Sequence, residues 1–399
     1  MRSSLIKVVI IFCIILLSFL TFPHHKNNSD ELVFWTLQMN DFSPYMNKVI
    51  TEFEAQNNIK IKWIDVPFSE GEKRTLASVL SDNPPDLINL NPDFTALLAQ
   101  RGALYEISEE DTKQFNKSII NSLKYNGKLY SLPWYATSAI TIYNKELLNG
   151  QKVPSTYDDV AKIAPKLKTY AMLPNITEND TMLRILNKYG ITTETINSEQ
   201  SVIVFELFKN MYEKGYIPKE SITQTHREAL EKYMAEQIVF FQAGANFLNM
   251  IKENAPSIYL KTDIAPQLTG KIGQNDFSLM NFVIPVRAKH KNEALKFALF
   301  LTNYENQLEL AKLTNIIAVN QNTLDDDYYK NYNDLMSKAR VISAKQLNKI
   351  EPSLHTTRNQ KEINTIVNTA VQQILLNKST TEKILNDAYA KYEINSKIP

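Results

Sequence analysis

The stretch Y-N-G-K-L-Y-S-L-P-W-Y-A-T-S-A-I-T-I-Y-N-K-E-L-L, from Tyr125 to Leu148, decides the fold of this chain. It opens on Asn126-Gly127, a two-residue hairpin signal between short strands predicted around Leu123–Tyr125 and Lys128–Leu132. Pro133 is expected to stop the second strand, because proline cannot donate to a strand ladder. The start of the stretch therefore predicts a small hairpin.

The remainder of the stretch predicts a crossing between two lobes. Small and β-branched residues from Ala136 to Ile142 form an extended strand that fits a pleated, half-buried surface. Two large aromatic residues, Trp134 and Tyr135, directly precede this strand. Aromatic rings beside a flexible crossing indicate a cleft at this point.

The segments around the crossing alternate between strand and helix patterns. Ile59, Ile61 and Trp63 alternate with lysines, which predicts a strand with one solvated face. Ser43-Pro44 predicts a helix start, and apolar residues with helical spacing follow it: Met46, Val49, Ile50 and Phe53. Similar alternation in both halves favours two α/β lobes in which helices cover largely parallel sheets.

The crossing resembles the hinge of the family 1 extracellular solute-binding proteins, the maltose-binding-like receptors of ABC importers. In that family a G-K-x-Y-x-(x)-P motif precedes I-Y-N-K-(D/E)-L-L, and Gly127 to Leu148 follow this pattern. Further similar segments occur in the family's order: L-V-F-W-T from Leu32, N-P-P-D-L-I-N-L-N-P-D-F from Asn83, P-S-T-Y-D-D-V from Pro154, the strand before Gly244, and the helix from Ile284 to Gln307. The resemblance covers nearly everything from Leu32 onward.

This resemblance implies a two-lobed, periplasmic-binding-protein-like fold of type II. Each lobe would be a mostly parallel sheet flanked by helices, with the ligand cleft between the lobes. Residues 31–137 plus 282–313 would form lobe one, and residues 138–281 plus 314–399 would form lobe two. The chain would cross near Ser138, near Met280 and around Thr314 to Asn320.

The N-terminus predicts export. Arg2 and Lys7 flank an uncharged apolar run that ends at Phe22, which indicates a signal peptide or an N-terminal membrane anchor over residues 1–22. Residues 23–30 would be a linker. The only cysteine, Cys13, lies within the apolar run, so we expect no disulfide in the exported part. The predicted location is periplasmic, or on the extracytoplasmic face of a bacterial cytoplasmic membrane.

Composition and motifs argue against most kinds of chemistry. Lys plus Arg number 44 and Asp plus Glu 43, a net charge of +1 that gives no basic field for nucleic acid. The five histidines show no metal-ligand spacing, and no nucleophile elbow, phosphate loop or dinucleotide motif is present. Acidic pairs such as Glu109-Glu110 fit solvated turns better than glycosidase acids. We therefore expect no catalytic residues, no metal and no cofactor.

Candidate binding residues follow from the chemistry of a sugar, which presents apolar C-H faces and a rim of hydroxyls. Trp134 and Tyr135 are predicted to stack on the ligand, although either ring could instead pack the hinge. Asn91 and Asp93 follow a predicted strand and match a family aspartate, but an Asn-Pro-Asp turn that caps the next helix explains them equally well. The remaining candidates are Thr36, Gln38, Asn175, Asn246, Phe247 and Asn281. Trp35 and Trp63 are expected in the core.

The sequence therefore predicts the substrate-binding component of an ABC importer. It would bind a mono- or oligosaccharide or a related polyol, act as a monomer, and deliver the ligand to permease subunits. Two alternatives stay open at this point: a membrane-tethered sensor or adhesin on the same fold, and a secreted glycan-active enzyme.

Overall fold

Eleven strands and sixteen helices are described by the computed structural model, which covers residues 31–275, 277–314, 316–347 and 360–396. The strands are β1 (Glu31–Leu37), β2 (Lys60–Val66), β3 (Leu87–Leu90), β4 (Lys124–Tyr125), β5 (Lys128–Leu129), β6 (Leu132–Asn144), β7 (Tyr170–Met172), β8 (Ile238–Gly244), β9 (Thr262–Pro266), β10 (Phe277–Val283) and β11 (Ile317–Ala318). The helices are α1 (Ser43–Asn57), α2 (Phe68–Val79), α3 (Pro92–Gln100), α4 (Lys117–Ser122), α5 (Tyr157–Ile163), α6 (Thr181–Asn187), α7 (Glu199–Glu213), α8 (His226–Met234), α9 (Asn246–Asn254), α10 (Pro256–Lys261), α11 (Lys291–Leu301), α12 (Tyr304–Thr314), α13 (Gln321–Leu324), α14 (Leu335–Gln346), α15 (Gln360–Leu375) and α16 (Thr381–Ser396).

Strand β6 belongs to two sheet regions and connects them. Its first half, Leu132 to Ser138, pairs with β10, and β11 pairs with Tyr135 and Ala136. Its second half, from Ala139 to Asn144, pairs with β8 and β9. The strand order β2-β1-β3-β10-β6-β8-β7 therefore continues from one region into the other through β6.

Each sheet region has its own hydrophobic core, which gives the two lobes of the predicted fold. In the first lobe, Phe34 on β1 packs edge to face against Phe297 on α11, with ring centroids 5.2 Å apart. In the second lobe, Tyr157 on α5 packs against Phe208 on α7 at 5.7 Å. Burial of large side chains in separate clusters lets each lobe behave as a packed body.

The two-lobed α/β fold is confirmed, but the sheets are mixed rather than mostly parallel. β1 pairs in parallel with β2 and β3, and β7 does so with β8. The pairs that β6 makes with β8, β9, β10 and β11 are antiparallel. The reason is the crossing itself, because β10 runs back along β6 between the same two regions.

Local predictions around the crossing had different outcomes. The hairpin is confirmed, since β4 and β5 pair and both Asn126 and Gly127 have positive φ, at 49° and 77°. The prediction that Pro133 stops a strand is wrong, because Pro133 is the second residue of β6. It is tolerated there because the register with β10 shifts between Met280 and Asn281, next to Pro133.

The first helix confirms the apolar pattern. Met46, Val49, Ile50 and Phe53 are all buried on one face of α1. Its start differs slightly from the prediction, because a short 3-10 helix at Asn40–Phe42 runs directly into it.

Two organisational predictions lie partly outside the described residues. The predicted signal or anchor and the linker fall within residues 1–30, and over the described ranges no helix is long and apolar enough to span a membrane. The residue boundaries of the lobes stay a prediction. Ile317 and Ala318, which that division places in lobe two, pack in the first lobe's cluster.

Candidate functional site

Along β6, exposed and buried side chains alternate, and the exposed ones face the cleft. Tyr135, Thr137 and Ala139 on β6 are partly or fully exposed, whereas Trp134, Ala136 and Ser138 are buried. The Trp134 and Tyr135 rings touch each other, with centroids 5.2 Å apart, where the register between β6 and β10 shifts. Of these two predicted aromatic platforms only Tyr135 lines the cleft, because Trp134 is fully buried.

Trp134 lies in the core of the first lobe. Its side chain is fully buried and stacks on Phe282 of β10, with ring centroids 4.6 Å apart. The Gln307 side chain donates a hydrogen bond to the backbone carbonyl of Trp134 and fixes this part of β6. The structure therefore shows Trp134 as a packing residue, which was the alternative to stacking on a ligand.

A cavity of about 370 Å³ opens beside Tyr135, and we call it the apolar recess. Seven of its lining residues have apolar or aromatic side chains: Met39, Phe42, Tyr135, Ala245, Leu310, Ile316 and Ile317. Its polar lining comes from Thr137, Ser138, Asn246, Thr314 and Ser343. Residues of both lobes and of the crossing thus enclose one space.

A second space, which we call the polar basin, adjoins the recess. It comprises two overlapping cavities of about 480 and 310 Å³ that share Ala139, Asp180, Arg184, His226 and Gln242. The larger one also shares Thr137, Ser138, Gly244 and Asn246 with the apolar recess. Recess and basin therefore form one continuous cleft along the exposed face of β6.

Asn246 stands where the two parts of the cleft meet. It is the exposed first residue of α9, and no side chain caps that helix. A Cβ atom added to Gly244 would lie 2.6 Å from the Asn246 side-chain oxygen. The glycine therefore leaves room for an amide that both spaces can use.

Charged groups of the polar basin are held in a fixed arrangement. Arg184 Nε and Asp180 Oδ2, one helical turn apart, are 2.8 Å from each other. His226 Nε2 is 2.8 Å from the backbone oxygen of Gln242, which makes that nitrogen the donor. The Gln242 side chain donates to Thr141 Oγ1 and accepts from the Leu268 N-H. Donors and acceptors of this kind suit a ligand rich in hydroxyls.

Tyr135 combines an apolar ring with a free donor. Burial raises the pKa of its hydroxyl to about 12, so the phenol stays protonated at neutral pH. The hydroxyl makes no hydrogen bond to the described residues. It can therefore donate to a ligand while the ring covers an apolar face.

Asn91 and Asp93 lie away from this cleft, at the start of α3. The Asn91 side chain accepts from the Phe94 N-H at 2.7 Å and caps the helix, which is the competing interpretation given above. Asp93 lines a separate cavity of only about 10 Å³, together with Tyr125, Tyr130 and Ser131. That space is sufficient for about one water molecule.

Thr36 and Gln38, at the end of β1, do not line the cleft. Thr36 is fully buried; its hydroxyl donates to Asp65 Oδ1 at 2.6 Å and accepts from the Trp63 indole at 2.8 Å. Gln38 is exposed, with a positive φ of 52°. Trp63 and Trp35 are partly buried against the two clusters of the first lobe, where the sequence predicted them.

The remaining three candidates have different surroundings. Asn175 lines the polar basin, and its amide donates to the Gln224 carbonyl. Phe247 packs against His226 and Phe241, with ring centroids 4.9 and 5.6 Å away. Asn281 is fully buried on β10, and among the described residues its side-chain amide has no hydrogen-bond partner.

Several lining residues were not predicted from the sequence. The aliphatic wall of the recess comes from α12 and the residues after it, far from Tyr135 in sequence. The i, i+4 spacing of Asp180 and Arg184 was the one local signal for the basin. Over the described ranges, no group of three His, Cys, Asp or Glu residues is arranged to hold a metal ion.

Comparison with known proteins places this architecture in a family. The family model described as bacterial extracellular solute-binding protein matches residues 48–337. The chain belongs to this family. The predicted membership among extracellular solute-binding proteins is thus confirmed.

Two sequence relatives span most of this solute-binding protein. A protein of Brucella abortus named as a binding protein is 25% identical over 87% of this chain and 89% of its own length. The galactooligosaccharide-binding protein of Bacillus subtilis is 22% identical over 93% of this chain and 91% of its own.

A solved structure has the same fold. An oligosaccharide periplasmic-binding protein, as it is designated, from Synechococcus sp. MITs9220 superposes with a TM-score of 0.80 and 25% identity. The match covers 92% of this solute-binding protein and 98% of the other chain.

Proposed function

We propose that this solute-binding protein binds a carbohydrate, a mono- or oligosaccharide or a related polyol, and delivers it to the permease of an ABC importer. The observation that carries the proposal is the continuous cleft along Tyr135, Thr137 and Ala139, enclosed by both lobes. A ring with a free hydroxyl lies beside a basin of amides and paired charges. This combination offers both stacking and hydrogen bonds to a sugar.

The relatives support the same class of ligand. One is named for galactooligosaccharides and another for oligosaccharides, and each match covers more than nine-tenths of this chain. The cleft volume agrees with such a ligand, because its parts of about 370, 480 and 310 Å³ fall within the range of small-molecule sites.

Binding would act through the relative position of the lobes. The crossing strands can absorb small backbone changes while the two cores stay packed, which is how hinged domains close. A ligand that contacts both lobes favours the closed form by its differential affinity for that form. The permease would then bind the closed protein, and the ligand would leave chemically unchanged.

The family points to an extracytoplasmic location. We propose, more specifically, that the protein works as a monomer without a cofactor and is held at the membrane through residues 1–22.

The test is calorimetric titration with malto- and galactooligosaccharides, their monosaccharides and sugar alcohols. Wild-type protein is expected to bind at least one of them. Tyr135→Ala should weaken that binding by about 1 to 3 kcal/mol, the range for loss of one aromatic platform with its hydrogen bond. Tyr332→Ala is the matched control, because Tyr332 is 59% exposed and lines none of the described cavities.

Two results would contradict the proposal. One is a wild-type protein that binds none of these compounds. The other is Tyr135→Ala protein with the affinity of the Tyr332→Ala control.

A further inference from the structure

The inner wall of the apolar recess is unlike a surface built for hydroxyl groups. Leu310, Ile316 and Ile317 are at most 8% exposed, and their aliphatic side chains form this wall. Met39 and Phe42 close it from the first lobe. None of the described lining residues is charged. A sugar hydroxyl placed against this wall would lose its water without gaining a partner.

Some of the polar atoms along the recess already have partners. Thr314 Oγ1 donates to the Leu310 carbonyl at 2.7 Å. Ser138 Oγ accepts from the amides of Gln346 and Gln267, at 2.7 and 3.2 Å. These hydroxyls are committed to the fold, so they add little hydrogen-bonding capacity for a ligand. Tyr135 brings the hydroxyl that is free for the sugar, and it lies two residues from Thr137, which lines both the recess and the basin. The aliphatic wall formed by Leu310, Ile316 and Ile317 therefore favours an apolar occupant.

The polar basin has the opposite character and begins at a shared wall. Thr137, Gly244 and Asn246 line both spaces. Beyond this wall the basin is lined by the charged side chains of Glu178, Asp180 and Arg184. A ligand lying across the wall would meet polar groups on one side and aliphatic groups on the other.

We propose that the ligand is a glycoside with an apolar substituent: the sugar lies in the polar basin, and a short alkyl or aryl group fills the apolar recess. This deepens the proposed function and rests on it. The recess is large enough, since an apolar cavity of about 150 Å³ already accommodates benzene and this one measures about 370 Å³. Filling it removes the aliphatic wall and the substituent from water, which favours binding.

The test is a chain-length series measured on the full-length protein by calorimetry. Methyl, propyl, butyl and hexyl glucosides and galactosides, in both anomers, are compared with phenyl glycosides and with maltotetraose and galactooligosaccharides. All alkyl compounds are kept below the concentration at which they form micelles. Each added methylene should raise the affinity about fourfold until the recess is full, which corresponds to about 0.8 kcal/mol per buried methylene.

Two variants tie this effect to the recess. Ile316→Thr places a hydroxyl in the aliphatic wall, and the gain per methylene should fall to about twofold or less. Ser343→Ala removes a hydroxyl from the same lining, so affinity for the butyl glycoside should rise several-fold. Ile203→Thr is the matched control for the first variant. Ile203 is 54% exposed on α7 and lines none of the described cavities.

The outcomes separate this inference from the proposed function. If oligosaccharides bind while affinity is flat along the alkyl series, the inference is overturned and sugar binding stands. If no carbohydrate or glycoside binds, both are overturned. A rise along the series that is the same in Ile316→Thr and Ile203→Thr would place the alkyl group elsewhere and also overturn the inference. A crystal structure of the hexyl glycoside complex should show the chain against Ile316.

Discussion

Trp134 contributes to this protein through packing, and its replacement should therefore act on stability. The indole is fully buried and stacked on Phe282. We expect Trp134→Ala to lower the free energy of unfolding by about 3 to 5 kcal/mol, the usual cost of removing a large buried ring. Urea unfolding followed by circular dichroism measures this change.

A milder substitution provides the control. The indole N-H of Trp134 is buried without a partner among the described residues, so Trp134→Phe keeps a ring and removes an unpaired donor. We expect it to cost less than half as much as Trp134→Ala. Tyr135→Ala, which removes a half-buried ring, should also unfold at higher urea than Trp134→Ala. The packing role would be wrong if Trp134→Ala kept the wild-type urea midpoint.

For single residues, the sequence predicted those features that depend on residues close by in the chain. Asn126-Gly127 fixes its turn through its own φ angles, and Asn91 caps the helix that follows it. Trp134 was placed at the cleft because it adjoins Tyr135, but only Tyr135 is partly exposed there, whereas Trp134 is buried against Phe282. Leu310 and Ile316 gave no local signal, since only the fold brings them to Tyr135.

Helix α14 connects the second lobe to the crossing and depends on its N-terminal cap. Asp334 Oδ1 accepts from the Ser337 N-H at 2.7 Å, and the Ser337 hydroxyl oxygen accepts from the Asp334 N-H at 3.1 Å. At the other end of the helix, the Gln346 amide donates to Ser138 and Ala139 on β6. A change at the cap thus affects an element that contacts the hinge.

The cap gives a pH-dependent prediction. The bonds from the Ser337 side chain and backbone hold the pKa of Asp334 below its ordinary value. A group with a lowered folded-state pKa stabilises the protein above its unfolded pKa, about 3.9, and loses that contribution as pH falls through the folded value. Asp334→Ala should therefore cost about 1 kcal/mol at pH 7, and its unfolding curve should approach that of wild type below about pH 4.

Asparagine is the matched control, because it caps nearly as well as aspartate and carries no charge. Asp334→Asn should cost less than Asp334→Ala at pH 7, and its difference from the alanine variant should stay constant with pH. Thermal unfolding at pH 7, 5 and 3.5 measures both. A deficit of Asp334→Ala that is equally large at all three pH values would exclude the charge of Asp334 as the cause.

Individual elements were predictable to the extent that one periodicity governs them. The buried stripe of α1 follows from helical spacing alone. The effect of Pro133 on its strand was predicted wrongly. The strand tolerates this proline because its register with β10 shifts there, and β10 lies about 145 residues later in the sequence. The sequence predicted too many parallel strand pairs. Alternation of strands and helices indicates the order of the elements, but it does not show in which direction a strand that passes between the lobes pairs with its neighbours.

The whole molecule is organised by one strand that serves both lobes. β6 pairs with β10 over its first half and with β8 and β9 over its second half. No pattern inside residues 132–144 shows that change of partners. The crossing was predicted from the aromatic residues beside an extended strand and from the resemblance to a family. Its consequence is a cleft whose floor belongs to neither lobe alone.

Such a floor predicts that ligand binding changes the distance between the lobes and leaves each lobe unchanged. Asp41 precedes α1 of the first lobe and Asn249 lies on α9 of the second lobe; both are exposed and line none of the described cavities. In a Cys13→Ser background without other cysteines, spin labels at Asp41→Cys and Asn249→Cys should move closer by more than about 2 Å when a bound carbohydrate is added. Electron paramagnetic resonance measures the distance distribution with and without it.

A second label pair distinguishes closure from a local change at a label. Asp41 and Arg101 are both exposed and both belong to the first lobe, so their distance should stay the same when ligand binds. If this pair shifts as much as the first one, the movement lies within the lobe around Asp41. If neither pair shifts while calorimetry shows binding, the cleft is already closed without ligand. A ligand shifts the balance between two states only where their affinities for it differ. Recognition by a permease could then not depend on closure of the hinge.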